Sequence, residues 1–523
     1  MKTLHQIFLF SLAKDKVFSK NGILVSGVEV PNPSVVGKAV RASLYLYLST
    51  VIGQALGYVF WLTMTGLIGA EGLGHVVAVT SLSYLVIPSL SLGLRASLAR
   101  HLGESYGRGD IDKFRQYFST AVAFTAVTTC TISLLMGAVA ASGLNVAAYT
   151  PTMLALASIM VLTNLGTPFN SLMVALRRTD LILLSNVVGG LLKIGLGIAL
   201  ALLTHSWVGA ALSYASTGFS LIVVGLVYTL AHLKPFTTPT LEALKSLIIA
   251  GLSVWVPTVI TTMGQQLGTI AIFGFRGALE TGLYYVAFTV SGLLTSIPVS
   301  VASVLTPTLA GLGDGRKRTA WKAISLSMAL TTPLAVGTAL YSSNILMLLG
   351  EVYCLASPLL TILAIASIPQ TILLGVNSLV YAYGMYRRTL ILGVATNVTR
   401  VALYLLLTPT LGGYGAALAM ASGSVSGFLA ALCISRRVGF FIDWSLILKS
   451  ILVPTMLGSV RLLKTPWLVG PLVIGSSYLI YPRIGVITRD DLRDLAYSVL
   501  SEHVTVKVYH RLKNVIDLVI PPT

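Results

Sequence analysis

Long apolar runs dominate the chain, broken at regular intervals by short polar and basic segments. A membrane crossing needs about 20 predominantly apolar residues. On that measure the pattern predicts helical spans near 41–68, 74–99, 115–141, 151–176, 181–204, 206–232, 246–273, 282–311, 320–342, 356–384, 389–408 and 412–435. Two weaker spans follow, near 445–463 and 466–482. Lys449, Pro454 and Arg461 leave the first of them only a short clean core. The expectation is an all-α polytopic membrane protein with about fourteen spans.

The polar segments carry topological information. With the N-terminus inside, the inner segments hold Lys14, Lys16, Lys20, Lys38 and Arg41, then Arg100, Arg108, Lys113 and Arg115, then Arg177 with Arg178, then Lys234 with Lys245. Further on they hold Arg316, Lys317, Arg318 and Lys322, then Arg387 with Arg388, then Arg436 with Arg437. The outer loops hold Arg276, Arg461, Lys464 and little else. Basic residues mark cytoplasmic loops, so fourteen spans put both termini in the cytoplasm.

The apolar pattern also repeats. Gly53-Gln54-Ala55-Leu56-Gly57 in span one is matched by Gly264-Gln265-Gln266-Leu267-Gly268 in span seven. Asn170-Ser171-Leu172 before Arg177-Arg178 is matched by Asn377-Ser378-Leu379 before Arg387-Arg388. GAALSYAS (209–216) returns as GAALAMAS (415–422), and the offsets fall between about 204 and 211. Both glycine pairs have GxxxG spacing, which admits a close helix neighbour. Six spans separate the copies, so the halves share one orientation, as in transporters with parallel repeats around a central cavity.

This divides the chain into a cytoplasmic N-terminal segment (1–37), a six-helix bundle (38–233), a cytoplasmic linker (234–245) and a second six-helix bundle (246–436). Two additional membrane helices (437–484) and an amphipathic cytoplasmic tail (485–523) complete it. The N-terminus lacks a small-residue cleavage site and reads as retained. In the tail, Thr488 with Asp490 and Asp491 reads as an ordinary helix start rather than a metal motif.

Composition agrees with the pattern. Apolar residues make up 55% of the 523 and charged residues 10%, against about 25% charged in soluble domains. The net charge of +18 sits in short loops between apolar runs, which argues against a nucleic-acid partner. Cys130, Cys354 and Cys433 form no spacing pattern and read as reduced packing residues. Phosphate loops, HExxH, GxSxG and metal-spaced Cys/His clusters are absent, so neither an enzyme nor a cofactor is expected. Asn397-Val398-Thr399 fits a glycosylation sequon but lies inside span eleven.

Candidate chemistry lies inside the membrane. Lys193 sits in the middle of span five and Arg400 in the middle of span eleven, at matching points of the repeat. A charge at the bilayer centre costs roughly 2.5–3.5 kcal/mol even on lenient scales. No Asp, Glu or His lies deep in any span. Two cations without acidic partners suit an anionic ligand, with arginine gripping phosphate as a fork and lysine as a point charge. Arg95, Arg41, Gln54, Gln265, Asn170 and Asn377 are the further candidate substrate contacts. The plainer reading of each is a hydrogen bond to local backbone or helix-to-helix packing.

The run GLIGAEGLGHVVAVTSLSYLVIPSLSLGLRASLARHLGESYGRGDIDKFR (66–115) resembles the polysaccharide flippases of the multidrug/oligosaccharidyl-lipid/polysaccharide (MOP) exporter superfamily. Gly282–Leu312 and Pro409–Gly427 resemble that family's second half, and the likeness covers about residues 35–480. It implies two six-helix bundles in a V around a cavity, working by alternating access. The implied substrate is a polyprenyl-(pyro)phosphate-linked oligosaccharide. Membrane lipids and glycan-assembly enzymes are the implied partners of a monomeric transporter. Related lipid II flippases carry cavity arginines on spans one, two and eight. Arg41 and Arg95 lie on the first two, but span eight has none, and the deep cations here sit on spans five and eleven instead. The alternatives are a cation-coupled drug or organic-cation exporter of the same superfamily, disfavoured by the missing deep carboxylates, and a membrane glycosyltransferase or polymerase, disfavoured by the short outer loops.

Overall fold

A computed structural model describes residues 33–232, 237–312, 314–463, 467 and 469–486. Most of the expected N-terminal segment and nearly all of the tail, including Asp490 and Asp491, lie outside the described residues. The described residues form helices with short 3-10 turns, and an isolated bridge between Val146 and Tyr149 is their one β-type pairing.

In chain order the helices are α1 (Pro33–Ser91), α2 (Leu94–Gly107), α3 (Ile111–Ala141), α4 (Pro151–Val161), α5 (Thr167–Ala175), α6 (Thr179–Thr204), α7 (Trp207–Tyr214) and α8 (Ser216–His232). The second half brings α9 (Leu241–Arg276), α10 (Ala278–Gly311), α11 (Arg316–Leu340), α12 (Ser342–Met347), α13 (Ser357–Ala382) and α14 (Tyr386–Val438). The short helices α15 (Trp444–Gly458), α16 (Val469–Gly475) and α17 (Ser477–Ile480) follow. Ten of the described helical stretches are long and apolar enough to cross a membrane.

Two of the ten are double. α1 runs for 59 residues and α14 for 53, far beyond the 20 or so that a bilayer needs. Gly69 (φ 66°, ψ −179°) breaks the first and Gly412 (φ 57°, ψ −135°) the second. Gly69 falls in the gap between the first two expected spans, and Gly412 is the first residue of the twelfth. Backbone at positive φ is open to glycine without a Cβ penalty. α15 has 15 residues and continues as a 3-10 turn, Ser459–Leu463. It is shorter than the ten candidate crossings and is not one of them, as the charges and proline in that stretch lead one to expect.

Backbone breaks mark the repeat more sharply than the side chains do. Positive φ recurs at Gly69 and Gly277, Gly109 and Gly315, Gly143 and Gly350, Arg177 and Gly384, and His205 and Gly412. Every pair is 206 to 208 residues apart. Contacts follow the same offset. Ser171 Oγ donates to Arg95 O at 3.0 Å, and Ser378 Oγ to Ala302 O at 3.5 Å. Gly74 packs against the Ala278 carbonyl, while Gly282 packs against the Ala70 carbonyl, a reciprocal crossing of α1 and α10.

The core is joined at one end and divided at the other. One apolar cluster takes in Phe60, Met64, Leu73 and Met153 from the first half and Phe273, Tyr284, Leu360 and Tyr404 from the second. Toward the end expected to face the cytoplasm there are two clusters instead. One is built on Leu98, Phe114 and Leu172, the other on Leu309, Ile324 and Val376.

Leu247 of α9 belongs to the first-half cluster. The start of α9 indeed leans on the first half. Gly251 meets Gly93 backbone to backbone, Trp255 Nε1 donates to Pro88 O at 3.1 Å, and His101 Nε2 lies 3.0 Å from Ser246 Oγ. Further along, past Pro257, α9 packs on α14 through Gly264 and Gly268. A boundary at residue 246 therefore cuts the sequence at a point where the packing has not yet changed sides.

Candidate functional site

Lys193 and Arg400 lie near the middles of α6 and the first arm of α14, and both are buried, at 5% and 4% exposure. Neither forms an ion pair among the described residues. Lys193 Nζ rests over two rings, 4.7 Å from the centroid of Tyr214 and 5.1 Å from that of Phe60. A ring face attracts a cation through its quadrupole, worth about 2 kcal/mol when desolvated. Arg400 Nη2 donates to Ser424 Oγ at 3.0 Å, and its Nε has no partner. The stem of Arg400 lies over Gly423, where a Cβ would overlap it.

Aromatic side chains connect the two cations. Tyr214 sits 5.5 Å from Trp61, and Trp61 sits edge-on to Tyr285 of the second half at 4.8 Å. Tyr285 and Tyr284 each lie 6.1 Å from Phe288. Tyr284 interacts with Tyr404 and with Arg400. Tyr404 stands one helical turn after Arg400 and donates to Gly264 O at 3.3 Å. The two deep charges thus terminate an aromatic bridge that crosses the seam between the halves. In the conformation seen both are covered.

The halves build these pockets with the same parts in exchanged places. In the first half, Leu56 and Phe60 of α1 fill the space above Gly190 and Gly197 of α6. In the second, Asn397 and Tyr404 of α14 fill the space above Gly264 and Gly268 of α9. Gly53 and Gly57 have nothing within 4 Å of where a Cβ would stand. The two GxxxG spacings are therefore not equivalent. The contacts match Leu56 with Gly264 and Phe60 with Gly268, a register three residues away from the one the glutamines suggest. The alignment of Gln54 with Gln265 is corrected accordingly, and both side chains are exposed.

The other candidates are dispersed. Arg95 is exposed on α2, just after the break at Leu92 and Gly93. Asn170 is half-buried near the middle of α5 and Asn377 in the last part of α13, and Asn377 Oδ1 lacks a partner. Arg41 lies on α1, with its side chain outside the described residues. Arg95, Asn170 and Asn377 make no described contact with the bridge. Among the described residues no group of His, Cys, Asp and Glu could hold a metal ion.

The bridge aromatics were not singled out by sequence reasoning, although a signal was there. Tyr214 falls within the repeated GAALSYAS, where the second copy has Met420. Met420 Sδ in turn accepts from Tyr404 at 3.4 Å. Of the two positions at which the copies differ, Ser213 against Ala419 and Tyr214 against Met420, the second contributes a side chain to the pocket in each half.

Known proteins share this architecture. Over 416 residues the chain is 24% identical to the probable flippase AglR of Haloferax volcanii, covering 77% of this chain and 84% of that protein. In fold it is similar to the lipid II flippase MurJ in an inward closed conformation. The TM-score is 0.67 at 14% identity, over 84% of this chain and 98% of that one. It is also similar to an inward-facing multidrug resistance MATE family transporter of the MOP superfamily, with a TM-score of 0.58 at 18% identity over 76% and 98% of the two chains. Residues 63–358, which match the polysaccharide biosynthesis protein family, run from the first arm of α1 into α13 and so take in Lys193, Tyr214 and Tyr285. With more than half of its length inside that match and a MOP-type fold around it, the chain belongs to the polysaccharide biosynthesis protein family.

Proposed function

We propose that the protein is a flippase that moves a polyprenyl-(pyro)phosphate-linked oligosaccharide across the cell membrane by alternating access. One observation carries the reading. Two cations with no acidic partner among the described residues are buried at matching positions of two halves and joined by a run of aromatic side chains. Keeping such charges in a membrane protein is costly, and an anionic head group is what would repay the cost. AglR, a probable flippase, supports the class of activity.

In the closed state the ring faces of Phe60 and Tyr214 shield the Lys193 ammonium, and Ser424 with Tyr284 and Tyr404 shields the Arg400 guanidinium. Parting the halves along the bridge uncovers both. The guanidinium, with its free Nε, then offers a fork to phosphate oxygens, and the ammonium offers a point charge. A hydrated cationic cavity removes most of the cost of carrying a sugar phosphate through hydrocarbon. An inside-negative potential favours outward movement of an anion by about 2.3 kcal/mol per charge per 100 mV.

The test is flipping of a polyprenyl-phosphate-linked glycan in proteoliposomes. Lys193→Ala and Arg400→Ala are expected to insert and fold, and to lose the activity. Intact flipping by both variants would remove the phosphate-binding role.

A further inference from the structure

Tyr84 departs from the pattern of its helix. It is 45% exposed in the middle of the second arm of α1, while Val76, Val77 and Val79, one to two turns earlier, are fully covered. Yet it does not stand on an outer surface. Its ring lies 6.2 Å from that of Tyr214 in the first half, and Tyr285 of the second half lies within its electrostatic reach. A side chain placed between elements of both halves and still open to solvent lines the space between the halves. Tyr214 is the same ring that covers Lys193 Nζ at 4.7 Å. An open tyrosine thus stands one ring away from a deep cation.

We infer that Tyr84, backed by Tyr214 and faced by Tyr285, is a carbohydrate-stacking position that contacts the sugar attached to the substrate's phosphate. The inference rests on the flippase reading and adds a division of labour within it. A phosphate and its first sugar are directly bonded, so groups that bind them must be neighbours, as Lys193 and this tyrosine cluster are. Sugars present an apolar C–H face beside a rim of hydroxyls. A tyrosine presents the complementary pair, a flat apolar ring and one hydroxyl. Leucine or valine would cover the C–H face with a smaller, branched surface and without the flat ring that stacks on it. A ring that served only to pack the halves together would be covered, as Trp61 is at the contact with Tyr285.

The experiment compares two lipids in proteoliposomes, polyprenyl phosphate bearing one hexose and the same polyprenyl phosphate without it. Tyr84→Leu keeps the bulk and removes the ring, and Tyr84→Phe keeps the ring. A melting curve in detergent confirms that each variant folds. Tyr84→Leu is expected to slow the hexose-bearing lipid about tenfold, the factor that one aromatic contact supplies, and to change the bare lipid less than about twofold. Tyr84→Phe is expected to stay within about threefold of wild type for both. Equal slowing of both lipids by Tyr84→Leu, or no slowing of the hexose-bearing lipid, would overturn the assignment. If the wild-type protein moves neither lipid, the flippase reading itself fails and the stacking role falls with it. That result is separate from any effect of the variants.

Discussion

The hydroxyl of Tyr353 donates to the backbone carbonyl of Thr65 at 3.1 Å, from the turn before α13 in the second half to the first arm of α1. Tyr149, in the corresponding turn before α4, places its ring 5.2 Å from that of Phe273 at the end of α9. Thr65 and Phe273 are themselves 208 residues apart, so each half sends a buried tyrosine to the same point on the other. Together with the reciprocal Gly74–Ala278 and Gly282–Ala70 contacts, these tyrosines close the end expected to face outward.

Tyr353→Phe removes the hydrogen bond and keeps the ring. One buried hydrogen bond contributes about 0.5–1.5 kcal/mol, enough to shift a two-state opening by roughly two- to tenfold. The check is the rate at which a membrane-impermeant maleimide labels a cysteine introduced at Ala70, which is buried in the structure. Labelling is expected to rise by that factor, and an unchanged rate would show that the tyrosine does not help to hold the closed state.

Lys193 is predicted to trade stability for function. Its ammonium is held by ring faces and not by a counter-charge. Lys193→Met keeps most of the volume and removes the buried charge, so it should stabilise the protein by about 1–3 kcal/mol once the lost cation–π contact is allowed for. A thermal melt in detergent reads the stability, and a vesicle assay reads transport. A variant that melts earlier than wild type would mean that the ammonium is a net stabiliser of the closed state.

The two GxxxG spacings separate cleanly by substitution. A Cβ at Gly264 would overlap Asn397, and one at Gly268 would fall 2.7 Å from Tyr404 Cε1, whereas Gly53 and Gly57 have open space. Gly264→Ala or Gly268→Ala should cost about 1–3 kcal/mol through overpacking. Gly53→Ala and Gly57→Ala should be neutral or slightly stabilising in a helix interior. Equal tolerance at all four positions, measured by folded yield and melting temperature, would contradict the packing described.

Span positions were legible because hydrocarbon demands a run of apolar residues whatever the fold. The breaks at Gly69 and Gly412 fall where the apolar pattern lapses. The repeat was legible as well, but its register in span one was not. Identical letters at Gly53 and Gly264 suggested an alignment that the contacts shift by three residues, because space is conserved here as a knob and a hole exchanged between helices. Lys193 and Arg400 stood out by their cost. The tyrosines between them did not, since an aromatic residue in an apolar run carries no penalty that draws the eye. Nor does a period of 3.6 reveal that α9 changes partners along its length, because a covering side chain of either half makes the same demand for small and apolar residues.

The hairpin at Gly412 is clasped by two opposite charges. Glu280, in the first turn of α10, accepts from Gly413 N at 3.1 Å, at the start of the second arm of α14. Arg276, at the end of α9, donates to the Thr410 carbonyl at the end of the first arm. An anion thus faces a helix N-terminus and a cation a helix C-terminus, each matched to the local dipole. A charge-assisted hydrogen bond of this kind is worth about 1.5–3 kcal/mol. Glu280→Ala should therefore speed hydrogen exchange at Gly413 and the amides just after it by roughly ten- to a hundredfold. Glu280→Gln, which keeps an acceptor but not the charge, should fall between Ala and wild type. The equivalent hairpin of the first half turns at His205 and is held by Ser206, whose hydroxyl accepts from Val208 N at 3.3 Å. Amides at the start of α7 should be unaffected by either variant. If they accelerate in step with Gly413, the clasp acts on the whole fold and not on its own hairpin.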